Sequence, residues 1–372
     1  MNNNLRFKTL LKPLRLAMYD FTEYSVRKEL NYLVKDDALI HLGYPINDTI
    51  GPEYFYEKSF KKLHLAFPDL ERRDYIVISG TTEKNYSWVG TCGVYCGTFV
   101  NPFLDIPATG HLAHMRYHEF YKFEDNMVTE IQAIWDIPEL MIQANAWPMA
   151  PSLGREWCVP GPSTMDGISE GDIDLTKSNH SLEHIVSMAN AMKRHPSEGG
   201  PELMELEKFW HPKMNWYGPS AIGTSRGIEG FRNWHQIPFL NAMPDRGKLT
   251  TYEKRDGRGE DISYHFFSEN DYVAVTGWPN MKQTISHDGW LGIAPINKQI
   301  YLRSLDFWRL EKGKIRENWV EFDLLNVYLQ LGVDVLARMR EFNKARSMAA
   351  IPFDDGLSMQ VSPAISTAEV MG

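Results

Sequence analysis

The hydrophobic pattern changes period twice along this chain, each time in the same sense. Apolar residues at helical spacing give way to runs that alternate, or that cluster aromatic and β-branched residues. In the first half, "YSVRKELNYLVKDD" (Tyr24 to Asp37) predicts a helix, and residues 111–137 predict aromatic-rich strands. In the second half, "SNHSLEHIVSMANAMKR" sets Leu182, Ile185, Val186 and Ala189 on one helical face, with Ser178 as the expected N-cap. "PELMELEKFW" predicts another helix with Pro201 at its first position, and "EGFRNWHQIPFLNAM" a short third one. Strand-like runs follow in "DISYHFFSE", "DYVAVTGWPN", "QIYLRSLDFWRLE" and "KIRENWVEF". Between the last two, Glu311 to Lys314 predicts a tight hairpin turn, with Gly313 available for positive φ. Helices first and antiparallel strands afterwards make an α+β pattern, met twice.

The halves share residues as well as pattern. Glu119 to Asn145 aligns without a gap on Asp306 to Gly332, 187 positions on. Phe120 then pairs with Phe307, Glu124 with Glu311, Glu130 with Glu317, Asp136 with Asp323 and Gln143 with Gln330, and Arg116 matches Arg303 just upstream. An earlier block recurs 176 positions on: Gly51, Glu53, Phe55, Ala66, Pro68 and Asp69 return as Gly227, Glu229, Phe231, Ala242, Pro244 and Asp245. The offsets differ by 11 residues, an insertion that the polar run Lys248 to Asp261 accommodates. The repeat predicts two similar domains, at 18–150 and 175–345, joined by a linker rich in Pro, Gly and Ser at 151–174 and followed by an aperiodic tail at 346–372.

Composition narrows the partners. With 43% hydrophobic and 23% charged residues each half can bury a core, and a net charge of −9 provides no broad basic field for nucleic acid. No stretch approaches the roughly 18 apolar residues of a membrane span. The basic, mildly amphipathic start lacks the apolar core of a secretory signal, so a cytoplasmic protein is expected. Cys92, Cys96 and Cys158 are too few and too odd in number for a disulfide framework, and Cys92 and Cys96 read as structural residues of one strand face. "HSLEH" (His180 to His184) fits an H-x-x-E-H pattern but has no persuasive third ligand, so no metal and no cofactor is expected.

Phe209 to Arg246 and Leu305 to Gly332 resemble the SnoaL-like polyketide cyclase and ester cyclase family of the nuclear transport factor 2-like superfamily. The resemblance covers the second copy almost completely. The first copy is a diverged relative, with "GPEYF" for "RGIEGF" and "AFPD" for "AMPD". It implies two tandem cone-shaped α+β barrels, each a curved antiparallel sheet packed around helices and enclosing an apolar pocket for a small hydrophobic molecule. It also implies acid–base chemistry without a metal, and sheets that pair in dimers; two copies on one chain then form an intrachain pseudo-dimer, with a homodimer left open. The family's cyclases place an acid–base aspartate three residues before the position of Asp323, and here that place holds Val320, or Ala133 in the first copy. The family's accompanying histidines fall on Asp306 and Asn318, or on Glu119 and Ile131.

The candidates follow. Asp306 interrupts an aromatic strand, and alternation sets it on one face with Ser304 and Trp308; burial there raises a carboxyl pKa towards the range of a general base. His235 is its expected partner, against a structural histidine bonded to the backbone. Asp323 is a third catalytic candidate, although its place before "LLNVYLQLG" fits an N-cap better, as does Asp136 before "IPELM". Trp216, Tyr217, Trp278, Trp290 and Trp308 supply an aromatic wall, with Asn318 and His287 as polar contacts; a turn at Asp288 is the simpler reading of the His287 loop. His114, His118 and Glu119 are the candidates for a polar pocket in the first copy. The function these candidates predict is a small-molecule enzyme acting on a hydrophobic carbonyl or polyketide-like substrate, a cyclase, isomerase, lyase or hydrolase; the alternative is a non-catalytic ligand-binding or assembly module.

Overall fold

The computed structural model describes residues 3–246, 256–258 and 261–349. The insertion expected at 248–261 lies largely outside these residues, and the tail is described only to Ala349, as the end of a helix that starts at Val335.

The first unit is built on strands β1 (Val34–Leu42), β2 (Thr49–Ile50), β3 (Glu71–Thr81), β4 (Ser87–Thr98), β5 (Leu112–Glu124) and β6 (Met127–Trp135), in the order β2-β1-β6-β5-β4-β3. All neighbours are antiparallel except β1 and β6. Alternation gives the sheet two apolar faces. Val77, Val89, Tyr95, Tyr117, Tyr121 and Ile131 face the helices, whereas Ile78, Trp88, Cys92, Phe120 and Ile134 face the second unit. The helix Asn3–Tyr19 belongs to this unit, because Leu11, Leu14 and Met18 are buried in its core; the unit therefore begins well before residue 18.

The second unit repeats the plan with β7 (Trp210–Tyr217), β8 (Ser225–Arg226), β9 (Asp256–Arg258), β10 (Ser263–Glu269), β11 (Tyr272–Thr276), β12 (Met281–Ile285), β13 (Lys298–Leu302), β14 (Ser304–Glu311) and β15 (Lys314–Phe322). The main sheet runs β8-β7-β15-β14-β11-β10-β9, and β12 and β13 form a separate hairpin. The strand predicted at Gln299 to Glu311 is thus broken at Arg303, and the long strands corresponding to β4 and β5 are each bent into two. Local details also differ from expectation. The helix Leu175–Met192 is capped by Asp174, which accepts from the Lys177 N–H; Ser178 lies one turn in and donates its hydroxyl to the Asp174 carbonyl. The helix expected from Pro201 is a 3-10 turn, Pro201–Met204, divided from Leu206–Phe209 by Glu205 at φ 48°.

The shared residues are the joints of this plan. Gln143 brackets the backbone of His114, donating to its carbonyl at 2.6 Å and accepting from its N–H at 3.0 Å. Gln330 does the same to Tyr301 at 2.8 and 2.9 Å. Gly51 and Gly227 open equivalent helices at φ 76° and 69°, and a side chain on Gly51 would meet the Asp36 carbonyl at 2.5 Å. Asp69 accepts from the Thr98 N–H at 2.7 Å, and Asp245 from the Thr284 N–H at 2.9 Å.

The sheets pack back to back through reciprocal contacts. Phe120 meets its repeat partner Phe307 at 5.1 Å between ring centres. Gly80 and Gly90 let the layers approach this closely, since a Cβ on Gly80 would stand 2.7 Å from Cβ of Phe267. On one side, Asp136 caps the helix Ile137–Gln143 while its Oδ2 accepts from Arg116 at 2.6 Å and from the Ser220 N–H of the second unit at 2.8 Å. On the other, Asp323 caps Leu324–Gln330 and accepts from Arg303 at 2.9 Å and from the Tyr44 N–H of the first unit at 3.1 Å. Residues 151–174 contain no helix or strand but are bonded to both units, with the Val77 N–H donating to Gly167 and the Gly154 N–H to Ile222.

Candidate functional site

The interior of the second unit holds a cavity with about 100 Å³ open to the centres of water-sized molecules, or about 810 Å³ with its mouth included. The bends in the strands build one wall. Asn280, just after the β11 bend, reaches Ser304 at the start of β14, donating to its carbonyl at 2.8 Å and accepting from its N–H at 3.2 Å. The Ser304 hydroxyl then donates to Oδ1 of Asp306. Ser304, Asp306 and Trp308 alternate onto the cavity together. The ladder neighbours of Asp306 are Val275 and Val320, neither of which can pair with a carboxylate.

The opposite wall is the helical stretch 227–242, interrupted by a π turn at Arg232–Gln236. Such turns change which side chains share a face, and here two consecutive residues, His235 and Gln236, both line the cavity. The His235 ring stacks on Trp216 at 3.9 Å and 17°, between Phe231 and Phe239. Arg246 also lines the cavity, 5.9 Å from the Phe239 ring, and has no ion pair among the described residues.

Electrostatics separate the two titratable groups. Burial pushes the Asp306 carboxyl up to about 7, against the opposing pull of the Ser304 hydroxyl and the Arg246 charge. Asp306 keeps some accessible surface, as a cavity-lining group does, while protein encloses it on all sides. Burial, assisted by Arg246, pushes His235 down to about 3, so its imidazole is neutral at physiological pH. Several polar atoms of the wall have no hydrogen-bond partner among the described residues: Nδ1 of His235, both carboxamide atoms of Gln236, and the indole nitrogens of Trp210 and Trp308.

Of the sequence candidates, Asp306, His235, Trp216, Trp308 and Asn318 meet on this cavity. The others lie elsewhere. Tyr217 follows Trp216 and so takes the other face of β7, where its hydroxyl donates to Glu317 at 3.2 Å. Trp278 stacks against His41 of the first unit, under the Arg303 guanidinium. Trp290 stands behind Phe239 at 5.4 Å, and His287 and Asp288 are exposed. Asp323 is held at the domain interface by its cap and by Arg303. His184 of "HSLEH" bonds the Phe209 carbonyl, and among the described residues no group of three or more His, Cys, Asp and Glu is placed to hold a metal ion.

In the first unit the three candidates divide between faces. His118 points to the second unit and bonds the Leu305 carbonyl at 2.6 Å, while His114 lies beside Glu139 at 3.3 Å. Glu119, the repeat partner of Asp306, points inward and is fully buried. It accepts from Arg72 at 2.5 Å, Tyr121 at 2.6 Å, Tyr95 at 2.7 Å and the Trp135 indole at 2.9 Å. Arg72 is equally buried, donates to Thr91 and Asp74, and lies 4.1 Å from the Tyr117 ring. This cluster occupies the interior, and the small cavity beside Ala133 and Trp135 measures about 10 Å³ where that of the second unit measures about 100 Å³, or about 200 against about 810 Å³ with the mouth included. Sequence reasoning missed Arg72, Gln236 and Arg246. Gln236 and Arg246 carried a signal, because the 176-residue offset aligns them with the apolar Phe60 and Leu70.

No helix among the described residues is long and apolar enough to cross a membrane. No family model and no curated protein matches the chain. Among solved structures the chain is similar to IdmH from Streptomyces antibioticus, provisionally assigned as a polyketide cyclase, with 20% identity over 38% of this chain and 99% of that one and a TM-score of 0.32. A SnoaL-like polyketide cyclase, also provisionally assigned, from Jannaschia Sp. CCS1 matches at 17% identity over 38% and 92% of the two chains, with a TM-score of 0.33. AclR from Streptomyces galilaeus, provisionally assigned as a hydroxylase, matches at 16% identity over 39% and 85%, with a TM-score of 0.32. Each likeness spans about the length of one unit.

Proposed function

We propose that the second unit is a small-molecule enzyme that moves protons on a flat, hydrophobic carbonyl compound, with Asp306 as the general acid–base. The observation that carries this reading is a carboxyl that burial pushes up to about 7, in an aromatic cavity where no cation among the described residues is paired with it. A carboxylate poised there removes a proton next to a carbonyl and returns it within the same site. The family's aspartate would stand at Val320; Asp306 lies directly across the ladder from that residue, so its carboxyl reaches the same part of the cavity. Neutral His235 fixes the ligand plane by stacking in line with Trp216, and Arg246 stabilises the oxyanion that forms as the proton leaves. Aldol cyclisation, isomerisation and β-elimination all begin with removal of that proton, and in a hydrolysis the same carboxylate would take its proton from the attacking water instead. The first unit, its interior filled, serves as the partner of a pseudo-dimer.

The test uses 2-tetralone, a flat ketone with acidic α-protons, in deuterium oxide. The wild type is expected to exchange those protons at a rate that rises with pH through about 7, and Asp306→Asn to bind the ketone without exchanging it. An Asn variant that exchanges at the wild-type rate removes Asp306 from the chemistry. A compound carried through purification and released unchanged, from a protein without exchange activity, moves the reading to a binding module.

A further inference from the structure

Gln236 is the feature of the cavity that acid–base chemistry leaves unused. It is 2% exposed, lines the cavity, and among the described residues neither its carboxamide oxygen nor its nitrogen has a hydrogen-bond partner. A buried donor and acceptor left open cost about 1–3 kcal/mol each, so such a side chain is poorly suited to a purely structural role. The repeat supplies an internal control. Aligned at an offset of 176, Gln236 corresponds to Phe60 and His235 to Ser59, both also in a π turn, Tyr56–Phe60. In the filled unit Phe60 packs on Trp135 at 5.4 Å and Tyr95 at 6.0 Å, and the Ser59 hydroxyl turns back to the Phe55 carbonyl. The helix geometry therefore accepts an apolar residue, and a carboxamide stands only where there is a cavity.

We infer that Gln236 is a specificity-determining residue that reads a ligand edge carrying a hydrogen-bond acceptor and donor side by side, as in a cyclic amide or an enol next to a carbonyl. A carboxamide pairs with such an edge through two bonds at once: its nitrogen donates to the ligand carbonyl, and its oxygen accepts from the ligand N–H or O–H. The stacked Trp216 and His235 rings favour a flat ligand. The inference deepens the proposed function and rests on the same cavity being the ligand site, but not on Asp306 doing chemistry.

The experiment compares 2-quinolone, a flat cyclic amide, with N-methyl-2-quinolone, which lacks the donor, by calorimetric titration of the full chain. Wild-type protein is expected to prefer 2-quinolone by about tenfold or more, the worth of one buried hydrogen bond that would otherwise be lost. Gln236→Leu should erase that preference, weakening 2-quinolone, which loses two bonds, more than the N-methyl compound, which loses only the bond to its carbonyl, and its ligand-free melting temperature should not fall, because an unpaired carboxamide has been removed from the interior. Equal affinity of the wild type for both compounds, or an undiminished preference in Gln236→Leu, overturns the inference. Asp306→Asn separates the two claims: it should keep the preference even if the proton-transfer reading fails.

Discussion

Glu119 and Asp306 occupy the same place in two copies of one plan, yet one is saturated with donors and the other has a single serine hydroxyl. The difference arises from what surrounds each carboxylate. In the first unit Arg72, Tyr95, Tyr121 and Trp135 converge on Glu119 and leave no room for a ligand. In the second, Val275 and Val320 flank Asp306, and the space that the polar cluster would fill stays open. One acidic position is thus a structural anchor in a packed interior and a cavity-lining carboxyl in an open one.

The comparison can be broken most severely at Arg72. Arg72→Ala strands Glu119 without its cation and should cost about 3–5 kcal/mol in urea unfolding, whereas Asp306→Asn, which removes no ion pair, should not destabilise. A loss below about 1 kcal/mol for Arg72→Ala would mean that the cluster does not hold the first unit together. The next effect is one of pH. Because the folded pKa of Asp306 is about 7 rather than 3.8, the native state keeps a proton that the unfolded chain releases, and stability falls as pH rises from about 4 to about 7 before levelling. Asp306→Asn should lack that slope, so its advantage over wild type should grow across this window by an amount on the order of 4 kcal/mol. An advantage independent of pH would mean that Asp306 is ionised throughout.

The interface offers a finer comparison. Asp323→Ala removes a cap, an arginine pair and the Tyr44 contact, and should cost about 1–2 kcal/mol. Asp136→Ala should cost less, because Arg116 keeps Glu139 at 3.3 Å and Glu321 at 3.5 Å. Equal losses at the two sites would show that these extra carboxylates do not compensate. The smallest effect belongs to the hairpin turns, where Asn126 at φ 69° is the counterpart of Gly313 at φ 73°. Gly313→Asn should change the melting free energy by about 0.5 kcal/mol or less, since asparagine tolerates this conformation; a larger change would make the two turns unequal.

Much of the fold was legible because the repeat marks its own joints. Arg116 and Arg303 each bond the capping aspartate, Asp136 and Asp323 each cap a helix, and Gln143 and Gln330 each bracket the backbone of a neighbouring strand, so these residues are identical because they do the same work in both units. Identity between the copies therefore points to architecture, which is why Asp323 belongs to the interface. The candidate site lies where the copies differ, at Glu119 and Asp306, Ser59 and His235, Phe60 and Gln236, and Ala133 and Val320. Strand alternation was enough to bring Asp306 and Trp308 together. It was not carried through to Tyr217, which follows Trp216 and must face away, nor to Glu119, which was grouped with His118 although neighbours in a strand take opposite faces. Trp278 and Arg72 were beyond reach, since one depends on a strand bend and the other on a long-range pairing that local pattern does not encode.

The reciprocal clasps at Asp136 and Asp323 make each unit the other's partner within a single chain. Two identical subunits meeting in this way share one gene, and every substitution in it is written into both interiors at once. Joined end to end, the halves escape that constraint: one interior can be given up to strengthen the frame while the other keeps its hollow and its unpaired acid.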